Sequence, residues 1–265
     1  MPIKDSIGYG ELTPTKIEIL KEIFDMHLAV TQAVLRKRSA YKQIYTYIDA
    51  TSGKGIVPGS NIFGSPLVFL NSVHSQTIDM PYIAHFIECE EVNYLELKKN
   101  VFYYSNQQNW HLQNNVQYYH GEYEQKIIDI LKKPDDRELG LMFIDHSGDL
   151  PNFDTIGHFS KIRPRMEILI YLSTTNIKRL HHNTNKSLLD YMQQISKEFW
   201  LIRKPLKWDR HQWTFLLGTN TDIFKRYKKI NFYRLDSEEA QAFFPKLNLT
   251  SKERLEKLQP RLPSL

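Results

Sequence analysis

Thr46–Ser60 reads TYIDATSGKGIVPGS, a β-branched and aromatic run that ends in Asp49 and opens directly into a loop carrying Gly53-x-Gly55. Glycine reaches positive φ without steric cost and lets backbone approach a ligand, while a strand end beside a helix N-terminus offers free N–H donors. That combination grips a nucleotide-type cofactor at the carboxyl end of a first parallel strand. A glycine pair also fits a plain turn, so the reading rests on what surrounds it. Gly53-Lys54-Gly55 lacks the G-x-x-x-x-G-K-[ST] spacing of a P-loop.

Outward from this stretch, helical and strand patterns alternate. Upstream, Thr13-Pro14 opens a helical tract with Ile17, Leu20, Phe24 and Leu28 on one face. Downstream, Ser65-Pro66 combines an N-cap with a first-position proline ahead of Leu67, Leu70 and Val73. Tyr82 to Ile87 reads as a strand ending at Glu88, followed by a helix with Val92, Leu95 and Leu97. Further strands are expected at Val116 to Tyr119 (ending at Gly121-Glu122), Gly140 to Ile144 (ending in Asp145) and Glu167 to Leu172. Leu188, Met192, Ile195 and Phe199 mark another helix, Trp213 to Leu217 and Ile230 to Leu235 two short strands, and Thr250-x-x-Glu253 a capping box in a last helix. Strands alternating with helices predict an α/β protein whose mostly parallel sheet is covered on both faces. With no repeat or linker in view, a single domain is expected, with an N-terminal helical extension (about 1–40) and a C-terminal helical tail (about 236–265).

Composition narrows the class. The 265 residues are 41% hydrophobic and 25% charged, ordinary for a globule with a sizeable core. Apolar runs such as Leu67 to Leu70 and Ile168 to Leu172 are far too short to span a bilayer, and Lys4, Asp5 and Glu11 stand where a signal peptide would be apolar, so a cytoplasmic protein is expected. The single cysteine, Cys89, excludes an intramolecular disulfide framework and a cysteine-rich zinc site, and His181-His182 has no partner at metal spacing. No metal is expected.

In a doubly wound sheet, ligands bind beyond the carboxyl ends of the strands, so Asp49, Glu88, Glu122 and Asp145 are expected on one rim. Gly53 and Gly55 would run beneath a cofactor, and Asp49 would orient that loop or accept from the ligand's amino group. Glu88 would take a ribose diol, because two acceptor oxygens match two hydroxyls. Glu122 would accept from an adenine amino group, and Asp145 would face the reacting centre. Each acid by itself also fits a helix N-cap or a solvated side chain.

Charge is unevenly placed. Lys161 to Lys229 holds 15 Lys and Arg against 5 Asp and Glu, a local balance of +10 in a chain whose net charge is +5. Arg163, Arg165, Lys178, Arg179, Lys204, Lys207 and Arg210, interleaved with Trp200, Trp208, Trp213 and Tyr227, fit a basic face for nucleic acid. A solvated surface over core aromatics accounts for the same pattern.

The ordered segments YIDATSGKG, GSPL, FIE, GE, FIDHSG, HQWTFLLGTN and FYRLDSEEAQAFF, spanning roughly Gln43 to Glu253, resemble the three-Cys-motif partner proteins, a bacterial group with the class I S-adenosylmethionine-dependent methyltransferase fold. The resemblance implies a Rossmann-like, seven-stranded sheet with its last strand antiparallel, S-adenosylmethionine on the rim, and a cysteine-rich partner protein. Family members show D-x-F-A-G-x-G where this chain has Asp49-Ala-Thr-Ser-Gly53-Lys-Gly55, with Thr51 in the aromatic position. Their fourth strand ends D-P-Y-G, and here the match is Asp145-His146-Ser147-Gly148. Asp145 can draw hydrogens from an exocyclic amine while the site positions it and excludes water. His146 is a candidate base for a hydroxyl or ring nitrogen and equally a structural histidine. With Ser147 in place of the stacking aromatic, either another aromatic stacks, or the substrate is not a flipped base, or the methyl group is not transferred. The leading expectation is a methyltransferase acting on nucleic acid. A catalytically silent nucleic-acid or protein-binding module and a small-molecule methyltransferase are the alternatives.

Overall fold

The computed structural model describes residues 13–37, 44–75, 80–112, 114–132, 138–146, 150–173, 176–177, 188–208 and 211–247. α1 (Thr13–Lys37) leads into an alternation of β1 (Tyr45–Asp49), α2 (Ser65–Ser75), β2 (Tyr82–Glu88), α3 (Glu91–Gln107), β3 (Val116–His120), α4 (Tyr123–Leu131), β4 (Leu139–Ile144), α5 (Phe153–Ile162) and β5 (Met166–Ser173). Then come α6 (Leu188–Met192), β6 (Phe199–Arg203), β7 (Leu206–Trp208), β8 (His211–Thr219), α7 (Phe224–Tyr227), a 3-10 turn (Lys228–Ile230), β9 (Phe232–Arg234) and α8 (Glu238–Leu247).

One sheet runs in the order β3-β2-β1-β4-β5-β8-β6-β9, with β7 paired to β8. β1 to β5 are mutually parallel, and β8 is antiparallel to both β5 and β6, so β6 points the same way as β5. This is the α/β Rossmann-like methyltransferase fold. The expected seven strands are present with one reversed among them, and β7 and β9 bring the total to nine.

Strand side chains alternate between two cores, as the period of two requires. Tyr45, Tyr47, Phe86, Leu141 and Phe143 face α1, α2 and α3, where Tyr47 stacks on Phe69 with ring centroids 4.0 Å apart. Ile48, Met142, Ile144, Ile168 and Ile170 face α4, α5, α6 and α8. Full burial on both faces explains why β1 and β4 read as nearly continuous apolar runs.

Three expectations change. The helix begun at Leu188 stops at Met192, and Phe199 starts β6, because Phe-Trp-Leu-Ile has edges to pair with on both β8 and β9. On α3, Leu97 and Val101 are buried while Val92 and Leu95 are 64% and 48% exposed, since only one stripe of the helix meets the sheet. The Val68 N–H bonds the Gly64 carbonyl, so α2 starts around Gly64 and Ser65 is freed for another contact. The Thr250-x-x-Glu253 box lies outside the described residues. Among the described residues, no helix is long and apolar enough to cross a membrane.

Candidate cofactor and acceptor site

The strand order reverses direction at β1, flanked by β2 and β4, and there the Gly53 loop is tied to both neighbours. The Ala50 N–H donates to the Phe143 carbonyl and the Ser52 N–H to the Ile87 carbonyl, each at 2.9 Å. Gly53 (φ 57°) and Gly55 (φ 76°) hold left-handed backbone. At Gly55 a Cβ would stand 3.0 Å from Leu97 Cδ1, so both conformation and space select glycine. Gly55 therefore packs the loop onto α3, and Gly53 lies on the wall of the cavity above.

Glu88 is 6% exposed and braces this loop from the end of β2. Its Oε2 accepts from the Gly53 N–H at 2.7 Å, and its Oε1 accepts from the Glu90 N–H at 3.0 Å and from Asn93 Nδ2 at 3.4 Å. Thr51, in the position where the resembled family carries an aromatic, ties β1 to β4: its Oγ1 accepts from the Asp145 N–H at 3.0 Å.

Asp49 is wholly buried beneath the loop and is absent from the cavity wall, which fits the loop-orienting role rather than contact with a ligand's amino group. Its carboxyl accepts from the Thr51 N–H at 3.2 Å, the Tyr47 hydroxyl at 3.1 Å and the Ser65 hydroxyl. Burial outweighs these bonds and raises its pKa to about 7, with a smaller push from Asp145.

The cavity is about 610 Å³. Among the described residues, Glu88, Glu90, Glu122 and Asp145 line it against the two cations Lys16 and Lys54, so its field favours a cationic ligand over a phosphate-bearing one. Glu122 stands exposed before α4 without capping it. His146 lies edge-on to Tyr123 at 6.1 Å between ring centroids, and its buried Nδ1 has no hydrogen-bond partner among the described residues. Ser147 and Gly148 lie outside the described residues.

The residue that sequence reasoning misses is Lys16. Its Nζ forms an ion pair with Asp145 Oδ2 and lies 4.2 Å from the centre of the Tyr171 ring. The two charged side chains are 14% and 19% exposed. Thr13, Lys16, Ile17 and Leu20 bring α1 onto the cavity, so this helix is a wall of the site.

The basic tract divides between the two ends of the sheet. Arg163 and Arg165 precede β5 and therefore lie at the rim opposite the cavity. Arg163, moreover, is 3% exposed and ion-paired with Glu138, which removes it from any open basic face. Buried Lys197 likewise donates to the carbonyls of Pro164 and Met166 at 3.0 and 2.7 Å. Lys204 follows β6, whose carboxyl end points to the cavity rim, and is exposed; β7, which carries Lys207, pairs there with the start of β8. Lys178, Arg179 and Arg210 lie outside the described residues.

No protein-family model and no curated protein matches this chain. Solved structures do. Protein LPL1258 from Legionella pneumophila, assigned to the family model DUF519, aligns at 14% identity over 88% of this chain and 92% of its own, with a TM-score of 0.54. The METTL16 MTase domain aligns at 14% identity over 84% and 73%, with a TM-score of 0.46. CrArsM, an arsenic(III) S-adenosylmethionine methyltransferase from Chlamydomonas reinhardtii, aligns at 7% identity over 66% and 62%, with a TM-score of 0.43. The first likeness is one of fold alone, and the other two superpose too loosely to carry an argument.

Proposed function

We propose that the chain is an S-adenosylmethionine-dependent methyltransferase acting on a nucleic-acid base. The observation that carries the reading is the meeting of Gly53, Glu88 and Asp145 around one acidic cavity at the strand-order reversal. The cavity suits this cofactor: it is net cationic, it carries a ribose diol, and the Gly53 backbone approaches the space above it without a Cβ. Glu88 would hold the ribose through Oε2, which accepts the Gly53 N–H and keeps a further lone pair. Glu122 would meet the adenine, and Asp49 would hold the loop in shape from below.

When bound, S-adenosylmethionine supplies a methyl group on a positively charged sulfur. Asp145 would accept the hydrogens of an exocyclic amine so that its nitrogen lone pair points at the methyl carbon, while α1 and Tyr123 exclude water. Lys204 and Lys207 would lead the polynucleotide to that rim. The motif resemblance to the three-Cys-motif partner proteins adds a cysteine-rich partner to the proposal. One observation favours a second reading, a catalytically silent module that binds nucleic acid or a protein: Asp145 already holds Lys16.

The test is incorporation of a labelled methyl group from S-adenosylmethionine into mixed-sequence RNA and DNA. Wild type should transfer it, and Asp145→Ala should lose transfer while keeping cofactor binding. Equal activity in the variant would refute the role of Asp145. Salt-dependent polynucleotide binding without any incorporation would favour the silent module.

A further inference from the structure

The Lys16 ammonium is held by two groups, the Asp145 carboxylate and the face of Tyr171, 4.2 Å from the ring centre. The sheet builds this seat. Ile144 of β4 pairs with Ile170 of β5, so Asp145, the first residue beyond β4, comes next to Tyr171, which is still held in β5 by its pairing with Phe215. Tyr171 packs on the face that α1 covers, and α1 supplies Lys16. A carboxylate beside an aromatic face presents one hydrogen-bond acceptor and one π surface. Those are the two features that a flat ring bearing an exocyclic amine needs, the amine donating to the acid and the ring stacking. A lysine ammonium satisfies both by charge alone.

Resting on the methyltransferase reading above, we propose that Asp145 and Tyr171 form the acceptor seat, and that Lys16 is a built-in plug which an amine-bearing base of the adenine or cytosine type displaces. Tyr171 thereby supplies, from the neighbouring strand, the aromatic that Asp145-His146-Ser147-Gly148 lacks. Asp145 is then not disabled by Lys16 but reserved: a ring without an N–H donor has nothing to offer the carboxylate in exchange for the ammonium. Lys16 is a specificity-determining residue, raising the threshold for entry and leaving the cofactor side untouched.

The test uses the full chain as wild type, Lys16→Met and Lys16→Met/Tyr171→Leu, with Lys16→Gln repeating the test should Lys16→Met not fold. S-adenosylhomocysteine affinity is measured first, because its sulfur is uncharged and loss of a neighbouring cation should change it by less than about threefold. Adenosine, cytidine and purine riboside, which is adenosine without its amine, are then titrated by calorimetry into each protein saturated with S-adenosylhomocysteine. Adenosine or cytidine should bind at least about tenfold more tightly to Lys16→Met than to wild type, purine riboside should be unchanged, and adding Tyr171→Leu should erase the gain. Equal nucleoside affinities in wild type and Lys16→Met, with S-adenosylhomocysteine binding intact, would overturn the plug. A gain by purine riboside matching the others would overturn the amine selectivity. Failure of wild type to bind S-adenosylhomocysteine would instead overturn the cofactor reading and this inference with it.

Discussion

Replacing Asp49 by Asn isolates the cost of a carboxyl placed where no water reaches it. Burial lifts this group from 3.8 to about 7, against the hydrogen bonds from Ser65, the Thr51 N–H and Tyr47 that favour its charged form. The folded state thus holds a proton that the unfolded state releases near pH 4, and stability falls as pH rises through that window until the folded group also ionises near pH 7. Each pH unit travelled while only the unfolded chain is ionised costs about 1.36 kcal/mol. The penalty then grows from about 2 kcal/mol at pH 5 to about 4 kcal/mol at pH 8, a loss of about 2 to 3 kcal/mol between them. Asn is nearly isosteric, does not titrate and still offers a carbonyl oxygen to the Thr51 N–H. Any loss that the Asp49→Asn side chain brings by mismatching Tyr47 or Ser65 is common to both pH values. Urea unfolding followed by tryptophan fluorescence at pH 5 and pH 8 should therefore show Asp49→Asn gaining on wild type by about 2 to 3 kcal/mol at the higher pH. A difference that stays constant within about 0.5 kcal/mol would refute the argument that burial governs this carboxyl.

Gly55→Ala forces a side chain into left-handed backbone against Leu97 and should cost about 1–2 kcal/mol, lowering the melting temperature by several degrees in a thermal scan. Arg163→Met leaves Glu138 with the Thr46 hydroxyl but without its charge partner and should cost about 2 kcal/mol in urea unfolding, without changing the salt dependence of polynucleotide binding. Lys204→Glu, at the cavity rim, should instead weaken polynucleotide binding and flatten its salt slope, whereas Arg165→Glu at the opposite rim should leave both unchanged; equal effects in a fluorescence-anisotropy titration would contradict the division of the basic tract. Glu88→Ala removes the acceptor of the Gly53 N–H and should weaken S-adenosylmethionine binding by more than about tenfold in calorimetry.

The parts of the fold that depend on local pattern are legible in the sequence. β1, β2 and β4 announce themselves as apolar runs closed by an acid, and Thr13-Pro14 marks the start of α1. Phe199 reads wrongly as helical because an apolar residue seven after Met192 fits a helical stripe, and only the edge of β8, where it pairs with Thr219, draws it into β6. The gathering of Glu88, Glu122 and Asp145 on one rim follows from the topological rule for parallel sheets. Lys16 does not, because it lies 129 positions from Asp145 and nothing in its helix distinguishes it from a solvated lysine. The basic tract misleads because charges close in sequence need not share a face: Arg163 and Arg165 precede β5 and so stand at the rim opposite the cavity, and nothing in the sequence shows that Arg163 pairs with Glu138. Thr51 reads as a defect in the glycine motif, yet its hydroxyl is what joins the loop to the Asp145 backbone.

The central claim is that an acidic cavity beside Gly53 and Glu88 takes a cationic, ribose-bearing cofactor. Calorimetry with S-adenosylmethionine, S-adenosylhomocysteine and NAD tests it most directly. The account predicts micromolar binding of the first two and none of NAD, whose pyrophosphate meets Glu88, Glu90 and Glu122. Binding of NAD in preference to S-adenosylmethionine, or of none of the three, would contradict it.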